Sequence, residues 1–195
     1  MATQEERRDA TRSAILSAAQ HHFGSAGFAG ATVDQIAAEA RVAKGAIYHH
    51  YPTKSDLFEA VVQNVAGEIL AKVQAEPVQQ PDILAALFAG NRAFFAVCAS
   101  PPYAQIFLRD GPSVLGWRRW REIDTNHFGG MVSEGLQAAM DQGVIITRPI
   151  EPMVGLILGA VTEAAIACAG SEDFAEAAEG YLEGLEALLN GLRQG

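Results

Sequence analysis

Side chains that can donate hydrogen bonds to DNA are concentrated between residues 32 and 58, in the string TVDQIAAEARVAKGAIYHHYPTKSDLF. In a helix, Lys44, Tyr48 and His49 would share a solvated edge, where ammonium, phenol and imidazole groups can reach base edges and phosphate oxygens. A glycine beside the lysine permits close approach of the backbone, and nearby helix starts offer N–H groups to phosphates. The residues expected to contact DNA are therefore Thr32, Lys44, Gly45, Tyr48, His49 and Lys54.

Two short helices joined by a tight turn are predicted to hold these side chains. Thr32 and Gln35 have the spacing of a capping box that starts the first helix, and residues 41–42 make the turn. Ile47 and Tyr51 are four residues apart in the second helix and can pack inward. This layout is that of a helix-turn-helix, which presents its second helix to the major groove.

A longer helix is predicted to follow, from about Lys54 to Ala75, with Thr53 and Asp56 at its start. Its apolar side comprises Leu57, Phe58, Val61, Val62 and Val65. At the start of the preceding helix, Ala43 offers no capping oxygen, a loss typically worth ~1 kcal/mol. We therefore expect the second helix of the motif to be weakly capped.

The segment from about Arg8 to Val65 resembles the DNA-binding domain of the TetR family of bacterial transcriptional regulators. Two strings carry the resemblance, ILSAAQHHFGSAGFAGATV and DQIAAEARVAKGAIYHHYPTKSDLF. In the first, Gly27 suits a helix C-terminal cap, and the side chains that face the core are Ile15, Ala18, Ala19 and Phe23. The resemblance implies an all-α fold with a three-helix DNA-binding domain (residues 1–60) and a helical ligand-binding and dimerisation domain (residues 61–195).

The resemblance further implies a sequence-specific transcriptional regulator, most simply a homodimeric repressor that a small-molecule ligand releases from a palindromic operator. The implied partners are double-stranded DNA, a small-molecule effector and a second copy of the chain, and no cofactor is expected. A two-fold dimer also suits the geometry, because one short recognition helix reads few bases. The alternative is a regulator without an inducer, whose larger part serves only dimerisation or protein contacts.

The charge distribution favours DNA binding by the N-terminal part alone. The chain has a net charge of −9, of which residues 1–60 carry −1 (6 basic, 7 acidic) and the remainder −8 (8 basic, 16 acidic). A DNA-binding protein is usually basic overall, so the acidic remainder is unsuited to this role. Arg7, Arg8 and Arg12 can add non-specific phosphate or minor-groove contacts.

The larger part is predicted to be a set of helices separated by proline and glycine. A connector at residues 76–81 precedes a helix capped by Asp82, and Pro101-Pro102 ends that helix. The helices expected afterwards cover about Tyr103–Arg109, Val114–Asp141 (closed by Gly143), Met153–Ala169 and Phe174–Leu192, with a break at Gly111-Pro112.

The resemblance implies a ligand cavity among the middle helices, and such cavities are mostly apolar with a few orienting polar groups. Among the polar candidates, Asp124, His127 or Glu163 would orient the ligand. Ordinary core or surface positions remain the alternative for each residue. The candidate lining residues are Phe94, Phe95, Cys98, Phe107, Trp117, Trp120, Asp124, His127, Phe128, Met131, Met153 and Glu163.

The last two helices are predicted to form the homodimer interface in a four-helix bundle. The first of them is rich in glycine and alanine, and the second carries an apolar stripe at helical spacing. The stripe can equally belong to the core of one chain. The expected interface residues are Gly155, Gly159, Tyr181, Leu185, Leu188 and Leu189.

Metal and catalytic sites are not expected. Asp124 and His127 lie three residues apart, but too few further ligands can be named for a metal site. The doublets 21–22 and 49–50 are adjacent histidines, which point about 100° apart in a helix and are not expected to chelate together. Cys98 and Cys168 are isolated and are predicted to be reduced, buried thiols.

An enzyme is the main rival class, but no phosphate-binding glycine motif and no nucleophile elbow occurs. A Cys98–His127 nucleophile pair is conceivable and has no further support. The N-terminus is too polar for a signal peptide. The apolar run Met153–Ala169 has 17 residues and contains Glu163, against the ~20 that a bilayer requires. We therefore expect a soluble, cytoplasmic, non-enzymatic protein.

Overall fold

The computed structural model describes residues 3–76 and 82–193, and within these ranges the chain is helical. The described part contains no β-strand, only an isolated antiparallel bridge between Ile145 and Arg193. The predicted all-α class is confirmed. The predicted connector falls mainly on residues 77–81, which lie outside the described residues.

The helices follow the chain in an order close to the one predicted. A π-helical segment, Ala104–Asp110, lies between α6 and α7. The α-helices are α1 (Gln4–Gly30), α2 (Val33–Ala40), α3 (Lys44–His50), α4 (Lys54–Ala75), α5 (Ile83–Cys98), α6 (Pro101–Tyr103), α7 (Gly111–Leu115), α8 (Trp117–Asp141), α9 (Ile150–Ala169) and α10 (Phe174–Asn190).

The chain divides into two compact units, and each unit consists of two separate stretches of the sequence. The head unit comprises residues 1–65 and 101–120, and the body unit comprises residues 66–100 and 121–195. A division at residue 60 therefore omits a segment, residues 101–120, that packs with the N-terminal helices. The two boundaries within helices fall inside α4 and α8.

The core of the head unit is formed by the predicted apolar faces. Ile15, Ala18, Ala19 and Phe23 of α1 are buried, as are all five apolar residues named above on α4. Phe23, Phe28 and Phe58 form an aromatic group, in which the ring of Phe58 stands edge-on to Phe23 with 5.1 Å between centroids. Burying several aromatic rings in a unit this small is a principal source of its stability.

Local signals explain why the helix-turn-helix forms where it does. Thr32 and Gln35 make the predicted capping box, and Arg41 adopts the left-handed conformation (φ 57°) that ends α2. Ala43 makes no side-chain cap to α3, as expected. Gly27 has φ 70° and interrupts the helical geometry near the end of α1, at the position predicted for a C-terminal cap.

The region around Gly111-Pro112 differs from the prediction. It is helical, because Gly111 adopts ordinary right-handed dihedrals and Pro112 lies in the first turn of α7, where its missing N–H is not needed. The break comes instead at Gly116, whose φ of 78° favours glycine. Helix α8 consequently begins at Trp117 rather than near Val114.

The body unit is built from residues 66–75 of α4, from α5, α9 and α10, and from most of α8. Helix α10 packs against α9 and α5. A buried cluster of Leu84, Leu136, Ala139, Met140 and Ile145 lies at the centre of one part of this unit. Gly143, with φ 67°, follows the end of α8 as expected.

Helix α9 is longer than predicted. It begins at Ile150 after Pro149 and contains 20 residues, so by length and composition it is apolar enough to cross a membrane. The prediction that this segment is too short is wrong, because the helix begins at Ile150, three residues before Met153. A single helix of this kind is also typical of the core of a soluble protein.

Candidate nucleic-acid interface and effector residues

Helix α3 has one face fixed in the head core and the opposite face in solvent. Ile47 and Tyr51 are buried, so they determine the rotation of the helix about its axis. Lys44, Tyr48 and His49 are exposed, and 42% of the Tyr48 surface is accessible. A Cβ on Gly45 would meet no atom within 4 Å, so this position is open. These four residues lie on the surface in the arrangement that the sequence predicts.

Lys44 has an acidic neighbour that the sequence analysis did not include. Its Nζ donates a hydrogen bond of 2.9 Å to Oδ2 of Asp34, which lies on α2. This contact raises the pKa of Lys44 and keeps the ammonium charged. Both side chains are exposed, so the pair adds little to folding. It places a competing anion beside a lysine that is predicted to bind DNA.

Thr32 and Lys54 make contacts within the head. The Thr32 hydroxyl donates to Oε1 of Gln35 at 2.7 Å and accepts from the N–H of the same residue at 3.3 Å. Lys54 Nζ donates to the carbonyl oxygen of Phe28 and lies 4.4 Å from the centroid of its ring. Both side chains therefore have structural partners, and their contacts with phosphate stay predictions.

A cleft of about 300 Å³ lies between the N-terminal part of α1 and the end of α3. Arg12 Nε donates to the hydroxyl of Tyr51 at 3.3 Å, and this hydrogen bond raises the pKa of Arg12. Burial, followed by the charge of Arg8, lowers the pKa of His50. The residues that line the cleft are Glu5, Arg8, Asp9, Arg12, His49, His50 and Tyr51.

Arg8 and Arg12 of this cleft were predicted from the sequence to contact DNA, but the position of His50 beside them was not. The inward position of Tyr51 is the signal that could have done so, because it orients the end of α3 toward α1. Arg7, Arg8 and Arg12 are exposed on α1. Their cationic groups are available to a polyanion.

The adjacent histidines on α1 both contact one carboxylate. Nδ1 of His21 lies 3.0 Å from Glu39 Oε2, and Nε2 of His22 lies 2.9 Å from the same oxygen. Two adjacent helical residues can therefore reach one atom, which their divergence of about 100° alone did not suggest. His21 makes this contact through Nδ1 and His22 through Nε2. Glu39 lies on α2, and its carboxylate is within reach of both diverging rings.

In the body unit, several candidate effector residues pack together. Phe94 lies edge-on to Phe128 with 5.4 Å between ring centroids, and Phe95 lies 6.3 Å from Phe174. Phe94, Phe95, Phe128 and Cys98 are buried. Burial, and to a lesser extent the nearby Asp124, raises the pKa of Cys98 and keeps the thiol neutral. This group is an aromatic part of the body core.

Asp124 is fully buried beside this group and has polar partners. Its Oδ2 accepts a hydrogen bond of 2.6 Å from Arg121 Nη1 and lies 3.3 Å from the hydroxyl of Thr162. Burial raises the pKa of Asp124 to about 6, although Arg121 and Thr162 oppose this effect. A carboxyl group that titrates so near neutrality in an apolar unit is suited to orienting a ligand.

The remaining candidates are distributed elsewhere. Phe107 and Trp120 are buried in the head unit, where the indole N–H of Trp120 donates to the Phe107 carbonyl at 2.8 Å. Trp117 is exposed, with its ring 5.3 Å from that of Trp120. In the body unit His127, Met131 and Met153 are half-buried and Glu163 is exposed. Burial lowers the pKa of His127.

The six interface candidates divide into two groups. Leu185 and Leu189 are buried within the single chain, so these two leucines belong to its core. Tyr181 and Leu188 are exposed, as is Leu156 of α9. Gly155 is exposed and Gly159 half-buried, and both lie beside Arg121: its Nη2 is 3.4 Å from the Gly155 carbonyl oxygen.

Comparison with known proteins agrees with this architecture. Residues 15–61 match the family model "Bacterial regulatory proteins, tetR family", and residues 84–192 match "Tetracyclin repressor-like, C-terminal domain". The chain is similar to the HTH-type transcriptional repressor SCO4008 of Streptomyces coelicolor, with 39% identity over 69 residues. That similarity covers 35% of this chain and about a third, 36%, of the length of the relative.

Solved structures extend the similarity to the whole chain. A TetR-family transcriptional regulator from Pectobacterium atrosepticum has a TM-score of 0.86 and 28% identity, over 100% of this chain and 99% of that one. RolR in complex with the ligand resorcinol shares the fold, with a TM-score of 0.74 and 13% identity over 97% and 95% of the two chains. The C-terminal family model alone matches more than half of the sequence. The chain therefore belongs to the TetR family of DNA-binding transcriptional regulators, which is a non-enzymatic family.

Proposed function

We propose that this regulator acts in the bacterial cytoplasm as a homodimeric repressor, which binds a palindromic operator through α3 and is released by a small-molecule ligand. The observation that carries the DNA-reading part is the exposed edge of α3. There Lys44, Tyr48 and His49 face solvent while Ile47 and Tyr51 hold the helix in the head core. The same three donors can reach base edges and phosphates when α3 enters a major groove.

A second copy of the chain is proposed to pack on α9 and α10. Leu156 and Leu188 are large apolar residues with 69% and 60% of their surfaces exposed. Gly155, Gly180 and Gly184 of the same two helices border open space, because a Cβ on any of them would meet no atom within 4 Å. Apolar exposure next to small residues favours close helix packing between protomers. Two recognition helices would then read half-sites ~34–36 Å apart or a multiple of this distance.

The effector is proposed to bind in the body unit, with Asp124 as the group that orients it. The aromatic rings near Asp124 suit a neutral or cationic, partly aromatic compound. Such a ligand would compete with Arg121 and Thr162 for the carboxylate. RolR, which shares the fold, has been solved with resorcinol, an aromatic compound.

Helix α4 is the proposed route of coupling. It is continuous from Lys54 to Ala75, with residues 54–65 in the head unit and the rest in the body unit. A ligand that binds one arrangement of α4 a hundredfold better than another shifts the equilibrium by about 2.7 kcal/mol per site. The alternative is a regulator without an inducer, whose body unit serves only dimerisation or protein contacts.

The test is selection of bound sequences from a random DNA pool at ~0.15 M salt, a concentration at which non-specific binding is reduced. The expected result is an enriched palindrome with the wild-type protein and none with Tyr48→Ala. Recovery of the same palindrome by Tyr48→Ala would remove α3 from its proposed role. Testing a panel of small compounds for release of the protein from the selected DNA then distinguishes the two alternatives, because only an inducible repressor is released by a compound.

A further inference from the structure

We propose that His21, His22 and Glu39 form a binding site for a divalent first-row transition-metal ion, with Zn²⁺ as the reference ion. The three residues lie on the head unit, where α1 supplies the imidazoles and α2 the carboxylate. The inference rests on local side-chain geometry and is independent of the proposed repressor mechanism. It assigns ligand chemistry to a surface that neither DNA reading nor effector binding uses.

The ligand atoms already converge. Nδ1 of His21 lies 3.0 Å from both carboxylate oxygens of Glu39, and Nε2 of His22 lies 2.9 Å from Oε2. Each of the three residues offers one ligand atom, and these three atoms lie within 4.8 Å of one another. An ion with bonds of ~2.0–2.2 Å to nitrogen and oxygen separates its ligands by about 3–3.5 Å. The two nitrogen–oxygen spacings are therefore close to those between ligands of a coordinated ion.

The alignment of His22 is informative. Its Nε2 atom is buried and makes no hydrogen bond, although Glu39 Oε2 is only 2.9 Å away. The oxygen is close but lies away from the direction in which the ring nitrogen donates or accepts. Two ligands of one cation have this relationship, because each directs its lone pair at the ion rather than at the other ligand. A bound ion would also satisfy a buried polar atom that otherwise lacks a partner.

The donor set selects the class of ion. Imidazole nitrogen with one carboxylate suits Zn²⁺, Ni²⁺, Co²⁺ or Cu²⁺, whereas Mg²⁺ and Ca²⁺ prefer oxygen ligands. The His21 side chain is 66% exposed, so water can complete the coordination. Three protein ligands with open positions form a weaker site than a closed four-ligand site.

A bound ion would connect α1 to the first helix of the helix-turn-helix. The two helices are also joined by residues 31–32, and Ile15, Phe23 and Ile36 are buried in the same unit. Because the ion binds the folded arrangement and the unfolded chain has no preformed site, occupancy raises the melting temperature. The alternative is a histidine pair that only hydrogen-bonds to a surface carboxylate, without selective metal binding.

The experiment is calorimetric titration of the full chain with Zn²⁺ in a non-chelating buffer at pH 7.5, with thermal unfolding followed in parallel. The variants are His21→Gln, His22→Gln and Glu39→Gln, which keep polar side chains of similar size. His50→Gln is the matched control, because it removes a histidine from the other adjacent pair. Circular dichroism verifies that each variant is folded, and His21 and Glu39 are exposed, so substituting either of them disturbs the core less than substituting half-buried His22.

The expected result is one saturable Zn²⁺ per chain and a melting temperature several degrees higher with the ion. Each cluster variant should bind at least tenfold more weakly and lose the thermal shift, while His50→Gln behaves like the wild type. Absence of saturable binding would overturn the proposal. So would equal Zn²⁺ affinity in the wild type and folded Glu39→Gln, since the ion would then be held elsewhere. Mg²⁺ should give no heat of binding and no thermal shift at the same concentrations.

Discussion

Arg121 Nη1 lies 2.6 Å from Asp124 Oδ2 and provides a cationic partner, one helical turn away, for a carboxylate that is fully buried. The Thr162 hydroxyl is 3.3 Å from the same oxygen, but its single proton has a closer acceptor in the carbonyl of Leu158 at 2.7 Å. Asp124 therefore has one strong donor and one weak one. These two donors do not offset the effect of burial, which raises the pKa of Asp124 to about 6.

The first prediction concerns the pH dependence of stability. The folded protein holds the Asp124 proton up to about pH 6, whereas an aspartate in the unfolded chain has its ordinary pKa of 3.8. Between these values the folded state binds more protons, so this group makes stability fall as pH rises. Asp124→Asn removes the titration. The free energy of unfolding of the wild type minus that of the variant should therefore increase by about 2 kcal/mol as pH falls from 7.5 to 4.5, which is most of the ~3 kcal/mol that the full shift from 3.8 to about 6 represents.

Urea denaturation at several pH values measures this difference. Asp141→Asn is the matched control, because Asp141 is an exposed aspartate at the end of the same helix and accepts a hydrogen bond from Gln137. Its difference from the wild type should change little over the same range. An Asp124→Asn difference that is constant with pH, or that reverses sign, would show that Arg121 outweighs burial.

The second prediction concerns a close approach in the head unit. A Cβ on Gly111 would lie 2.7 Å from Trp120 Cδ1 and 2.8 Å from its Nε1. Trp120 is fully buried and cannot move without losing its hydrogen bond to Phe107. Gly111→Ala should therefore lower the free energy of unfolding by about 1–3 kcal/mol, the usual range for overpacking. Chemical denaturation followed by tryptophan fluorescence is the measurement.

Gly130→Ala is the control for this substitution. Gly130 lies inside α8, and a Cβ there would meet no atom within 4 Å. Adding a methyl group should raise stability by about 0.5–1 kcal/mol, because alanine loses less backbone entropy in a helix. Equal effects of the two substitutions would mean that Trp120 has free space and that the contact at Gly111 does not limit packing.

Local chemistry explains why the head could be predicted from the sequence. Thr32 and Gln35 act within four residues, and the burial of Ile47 and Tyr51 follows from helical periodicity alone. Such signals do not depend on distant parts of the chain. The Glu39 contact with His21 and His22 was missed for the opposite reason, since it joins two helices and depends on their packing.

The body was harder to predict because its signals are ambiguous. A leucine stripe has the same period whether it packs inside one chain or between two, so burial of Leu185 and exposure of Leu188 were not separable. Gly111-Pro112 reads as a helix breaker, yet both residues are compatible with the first turn of a helix. Sequence alone also could not assign residues 101–120 to the head unit.

The third prediction concerns the homodimer. Leu188 is 60% exposed, so Leu188→Glu should leave the folded protomer intact and yield monomers in light scattering. Leu185 is buried, and Leu185→Ala should lower the free energy of unfolding by about 2–5 kcal/mol through a core cavity. Together the two variants distinguish a residue of the dimer interface from a residue of the protomer core. Wild-type dimerisation by folded Leu188→Glu would exclude this face of α10 from the interface.

The fourth prediction concerns the ion pair on the DNA-reading surface. If Lys44 binds a phosphate, Lys44→Ala should weaken operator binding and make the slope of log affinity against log salt shallower by roughly one. Asp34→Asn should have the opposite effect on affinity, because it frees the ammonium from a partner 2.9 Å away and removes a negative charge. Fluorescence anisotropy with the selected operator at two salt concentrations measures both effects, and Lys72→Ala in the body-unit part of α4 is the charge control.

Weaker binding by Asp34→Asn would instead mean that the carboxylate positions Lys44 for its contact. An unchanged salt slope in Lys44→Ala would exclude the phosphate contact itself.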